Sequence, residues 1–156
     1  VTGHPSSGGN AAPRQLELAR LRTFCVLNAV LYLIVAVLIA FLRLLLAQLV
    51  DEPVKVTIAF MAQEMLCSLA LIALAVVMLW VRGAITRDPA GQDGAVRAGR
   101  SAGVFALVIA AIVAAGAVVV ALVPATDSKV PTIVVSGLVV VFALYSYAGM
   151  AKLRQR

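Results

Sequence analysis

From Phe105 to Val123 the chain reads FALVIAAIVAAGAVVVALV, without one charged or hydrogen-bonding side chain. A run this long and this apolar matches a bilayer: about 20 residues rising 1.5 Å each cross the ~30 Å hydrocarbon layer. Three more runs have the same character, so spans are expected at about 24–43, 62–81, 102–123 and 132–151. Apolar residues make up 63% of the chain and charged residues 13%, against roughly half and a quarter in a water-soluble domain. A globule of 156 residues has too little interior to hide that much apolar side chain. In lipid each backbone must satisfy its own hydrogen bonds, and the runs lack the alternation of barrel strands. The expected fold is therefore an all-α integral membrane protein. Its four transmembrane helices form two antiparallel hairpins within one domain over residues 14–151.

Orientation follows from the basic residues. Arg14, Arg20 and Arg22 precede the first span. Arg82, Arg87, Arg97 and Arg100 fall in the segment between the second and third, and Lys152, Arg154 and Arg156 follow the fourth. The other side carries Arg43, Lys55 and Lys129 together with Asp51, Glu52, Glu64 and Asp127. This asymmetry predicts a multi-pass protein with both termini in the cytoplasm and a cytoplasmic linker at 82–101. It also accounts for the net charge of +6 without nucleic acid, for which no interleaved aromatic and basic pattern is present. Contact with anionic lipid headgroups is a further expectation. Phe24, Trp80, Phe105, Tyr145 and Tyr147 fall near the inner interface, a level that Trp and Tyr favour.

Residues 1–13, VTGHPSSGGNAAP, are polar and read as a flexible tail rather than a cleaved signal. Asn10 and Pro13 predict a helix opening ahead of the membrane. Residues 152–156 form a short basic tail. The outer connections, Asp51-Glu52-Pro53 and Pro124 to Pro131, carry the acid and proline signals of helix ends.

Two charges interrupt the spans. Arg43 stands in IAFLRLLLAQ and Glu64 in FMAQEMLCSL. Counting from the inner edges of their spans puts both near the outer edge, with Glu64 about 3 Å inside it. A structural ion pair between Arg43 and Glu64 would reduce the cost of having either in lipid. Alternatively each reaches water separately, or faces a neighbouring subunit. Glu64 also admits a sharper reading, as the coupling carboxylate of a small proton-coupled transporter.

Helix packing is expected through small residues. Ala102, Ala106, Ala110 and Ala114 recur every four residues with Gly116 beside them, and Gly137 on the fourth span could receive the third helix or a foreign one. Asn28 and Ser68 are candidates for hydrogen bonds between helices. Parts for chemistry are few. The one histidine is His4, in the tail, and the spans contain no histidine to ligate haem. Cys25 and Cys67 lie at different depths, too far apart for a disulfide, and read as small buried hydrophobes. No sequence pattern supplies a metal site, a cofactor site, an activated nucleophile or a phosphate loop. The chain is accordingly expected not to be an enzyme, to bind no small-molecule substrate, and to partner other integral membrane subunits.

In its four-span outline, its length and its Ala/Val/Arg-rich composition, the chain resembles accessory subunits of actinobacterial cytochrome bcc–aa3 respiratory supercomplexes, of the supercomplex association factor type. The resemblance is carried by FALVIAAIVAAGAVVVALV and by RGAITRDPAGQDGAVRAGR. It implies a plasma-membrane location and a supporting role in electron transport beside the oxidase, with no redox centre in this chain.

Overall fold

The computed structural model describes residues 11–49, 54–87, 92–124 and 129–151. The expected N-terminal and C-terminal tails (but for 11–13), the Asp51-Glu52-Pro53 turn and residues 125–128 of the second outer connection lie outside the described residues. The described chain consists of four helices: α1 (Ala11–Leu49), α2 (Val54–Arg87), α3 (Gln92–Leu122) and α4 (Lys129–Ala151). All four are long and apolar enough to cross a membrane.

Each helix hides one narrow seam. On α1 the seam runs Cys25, Ala29, Tyr32, Ala36, Ile39, Arg43; on α2 it runs Phe60, Glu64, Cys67, Leu71, Leu74, Met78, Val81, Ile85. On α4 it runs Thr132, Ser136, Val139, Ala143, Ser146, Met150. Steps of four and three alternate, an average of 3.5 residues, which is the repeat of helices wound in a left-handed bundle. The opposite faces carry large apolar residues in the open, among them Leu27, Val37, Phe41, Val76, Val119 and Val141. The seams of α1 and α4 are rich in small and polar groups, the seam of α2 carries Phe60, Leu71, Leu74 and Met78, and bulky apolar residues cover the outside as well. That arrangement is stable where the surroundings are lipid.

α1 packs on α2, α3 packs on α4, and α2 also touches α3 and α4. Contacts between α1 and α2 fall in opposite order along the two helices. Arg22 Nη2 donates to the Ile85 carbonyl at 3.3 Å, Ser68 Oγ to the Ala36 carbonyl at 3.4 Å, and Arg43 meets Glu64 farther along. α1 reaches α4 through rings. Phe24 and Tyr145 have centroids 5.6 Å apart, Tyr32 and Phe142 5.4 Å, and the Tyr32 hydroxyl shares a 2.6 Å hydrogen bond with Ser146 Oγ.

Two expectations change. The linker expected at 82–101 is helical throughout its described part, because α2 runs on to Arg87 and α3 starts at Gln92. The buried seam continues through it in Val81, Ile85, Ala95, Ala98 and Ala102, while Arg82, Arg87, Arg97 and Arg100 stay exposed. Its charged composition thus marks the wet face of two helices. The second change concerns the small residues. Ala102, Ala106 and Ala110 are buried, but Ala114 is exposed. A strict four-residue step turns about 40° past a full circle each time, whereas the seam continues through Ile109 and Val113. Gly137 is exposed, and a Cβ there would meet nothing within 4 Å, so none of the described residues packs on it. Gly137→Ala should therefore leave stability unchanged or raise it by up to ~1 kcal/mol through helix propensity, as read by SDS titration in mixed micelles. By contrast, a Cβ at Gly149 would lie 2.7 Å from Phe24 Cζ.

The α3–α4 turn closes locally. The Val123 amide donates to the Val120 carbonyl at 3.2 Å, and Lys129 Nζ donates to the Val123 carbonyl at 3.2 Å. A cation here covers a carbonyl left open by the helix end. Pro131 is tolerated because it stands in the first turn of α4.

Candidate functional site

The bundle's polar interior concentrates at one level, where all four helices contribute. Arg43 and Glu64 occupy seam positions on α1 and α2, so the repeat that buries Ile39 and Phe60 also turns both charges inward. They are 7% and 6% exposed. Arg43 Nε lies 3.4 Å from Glu64 Oε2. The other carboxylate oxygen, Oε1, accepts a 2.8 Å hydrogen bond from Thr132 Oγ1 on α4. One carboxylate therefore ties three helices together. The pair is neutral as a unit, which is the form in which two charges are tolerated away from water.

A second polar strand continues from α4 to α3. Ser136 Oγ donates to the Thr132 carbonyl at 2.8 Å and accepts from Gln63 Nε2 at 3.0 Å. The same amide nitrogen donates to the Val113 carbonyl at 3.1 Å. A carbonyl only accepts, so this contact fixes which end of the Gln63 amide is nitrogen. The amide oxygen then faces Gly116, where it fills the space a Cβ would need; the two would be only 2.0 Å apart. Cys67 Sγ sits 3.6 Å from Ser136 Oγ.

These contacts define what the cluster does. A hydrogen bond to a charged group contributes about 1.5–3 kcal/mol, and removing the donor leaves the carboxylate less satisfied. Thr132→Val, which keeps the shape, should cost about 2 kcal/mol, while Thr132→Ser should cost less than half of that. SDS titration of both variants separates loss of the hydroxyl from loss of packing. Beside Gln63 and Gly116 a groove of about 320 Å³ lies between α2 and α3, lined otherwise by Ala59, Ala62, Leu66, Val119, Val120 and Val123. Its walls are apolar apart from the Gln63 amide.

Other singled-out residues serve local roles. Asn28 does not bridge helices: its Nδ2 donates to the Phe24 carbonyl of its own helix at 2.8 Å. Ser68 does bridge, to α1. Cys25 and Cys67 are buried free thiols. Among the described residues no three His, Cys, Asp or Glu side chains are grouped as metal ligands.

Sequence reasoning did not find Thr132 or the roles of Gln63 and Ser136 in the polar cluster. The signal lay in the repeat. Thr132, Ser136 and Ser146 fall on the seam of α4 in 3.5-residue register with Val139, Ala143 and Met150, and hydroxyls on a seam face other helices. Comparison with protein-family models, with curated proteins and with solved structures finds no match.

Proposed function

We propose that this chain is a non-catalytic accessory or assembly subunit of a larger membrane complex, threaded as two antiparallel hairpins with both termini cytoplasmic. The observation that supports the reading best is the use made of the single acid found in the spans. Glu64 is held by Arg43 and Thr132, and Gln63 and Ser136 are bonded to each other. The polar interior fastens helices together, and the groove beside it is apolar. What the chain offers to other molecules is its outer surface. The resemblance to accessory subunits of respiratory supercomplexes makes an oxidase-containing assembly in the plasma membrane the first partner to test.

Purification of the tagged chain from its native membrane in mild detergent tests this. Stoichiometric recovery with other integral subunits, and with haem absorbance for the respiratory case, is the expected result. Recovery as a homo-oligomer alone would overturn the reading. The alternative, a proton-coupled transporter using Glu64, draws support from the burial of that carboxylate among hydroxyl-bearing neighbours. It requires proton-linked solute flux in vesicles that disappears in Glu64→Gln. Reporter tags on each terminus test the orientation.

A further inference from the structure

The end of α2 carries a recess with a basic rim. A space of about 360 Å³ is lined by Leu79, Arg82, Gly83, Thr86 and Arg87, at the small end of the ~300–1,000 Å³ typical of ligand pockets. Gly83 is part of the lining, and a Cβ there would meet nothing within 4 Å. Arg82 and Arg87 are exposed on either side. Below the recess, in four-three-four steps along one face, lie Leu79, Val76 and Ile72, all exposed. From Gly83 to Ile72 the helix rises about 16 Å, close to the ~15 Å depth of one leaflet's hydrocarbon. Trp80, 55% exposed, fixes the level, because tryptophan settles at the membrane–water interface.

We propose that this face of α2 holds one anionic glycerophospholipid. Its phosphate sits between Arg82 and Arg87 over Gly83, and an acyl chain lies along Leu79, Val76 and Ile72. Guanidinium groups bind phosphate oxygens in a two-pronged fashion that favours this headgroup. Basic pockets at the ends of transmembrane helices are suited to such lipids. Two features oppose the anion: the carbonyl end of α2, and Asp88, which follows Arg87 in sequence and lies outside the described residues. Against them stand Arg82 and Arg87, with Arg22 docked on the Ile85 carbonyl one turn away. Thr86 Oγ1 is engaged with the Arg82 carbonyl at 2.9 Å and is not counted as a donor.

The protein contains one tryptophan, and it stands beside the site. The full chain is reconstituted in vesicles of phosphatidylcholine with a minority of phosphatidylglycerol. The acyl chains of either lipid are brominated at the same carbon, so that depth is constant and only headgroup identity varies. Brominated phosphatidylglycerol should quench Trp80 as if enriched around the protein by roughly five-fold or more, the ratio expected per basic residue engaged at the surface. Arg82→Gln/Arg87→Gln should bring the two lipids to equal quenching at equal mole fraction. Gly83→Leu fills the recess from a Cβ position that is open to 4 Å, keeps both charges, and should also abolish the preference. Equal quenching by the two lipids around the unaltered protein would overturn the proposal. So would a preference that survives in either variant.

Discussion

Glu64→Leu should cost about 3–5 kcal/mol, because it removes the carboxylate that lies against the buried Arg43 guanidinium among the described residues. The same reasoning gives Arg43→Leu a comparable cost, since among the described residues the carboxylate then keeps the Thr132 hydroxyl alone. The double variant Arg43→Leu/Glu64→Leu should recover most of the loss. Two charges and their desolvation disappear together, and buried ion pairs replaced by apolar residues are often neutral or better. The measurement is a double-variant cycle by SDS titration in mixed micelles, with helicity followed throughout. A double variant as unstable as the worse single one would show that the pair contributes more than mutual neutralisation. Glu64→Gln belongs in the same series: it retains an acceptor for Thr132 but removes the charge, and should fall between the wild type and Glu64→Leu.

Gly116→Ala is the second large effect. The new methyl would lie 2.0 Å from Gln63 Oε1, 2.9 Å from Cδ and 3.0 Å from Nε2. The whole amide must move. Overpacking costs about 1–3 kcal/mol, and withdrawing Nε2 from the Val113 carbonyl and Ser136 leaves buried polar groups for about 1–3 kcal/mol more. Gln63→Ala removes the obstacle. Gly116→Ala combined with Gln63→Ala should therefore be more stable than Gly116→Ala alone, although each single change destabilises. Strict additivity in SDS titration would mean that the two residues do not collide.

The four spans are legible because each is a long, predominantly apolar stretch, and four of them in so short a chain are most readily accommodated by a bilayer. Arg43 and Glu64 stand out for the same reason: against such a background any charge is conspicuous. What the residues conceal is rotation about each helix axis. In α3 beyond Phe105, where nearly every side chain is Ala, Val, Leu or Ile, hydrophobicity does not tell inside from outside. Ala114 and Gly137 were expected in packing contacts because they are small, yet the repeat faces both outward. The register is visible only through the polar residues on α4, whose hydroxyls are tolerable on one face alone. The helical part of 82–101 is obscured in the opposite way. Its arginines and glycines suggest a loop by composition, while Ile85, Ala95 and Ala98 preserve the seam at positions that composition does not weigh.

The order in which the ribosome releases the chain gives the interior polar layer a history. Gln63 and Glu64 enter the membrane with α2, but the hydroxyls of Thr132 and Ser136 that complete their bonding arrive only with the last helix. Until then the nascent protein has Arg43 against the carboxylate and the Val113 carbonyl for the amide, and lacks the hydroxyl partners of both. A chain cut short before Lys129 should remain in that state, recognisable to the cell's proteolytic surveillance as unfinished.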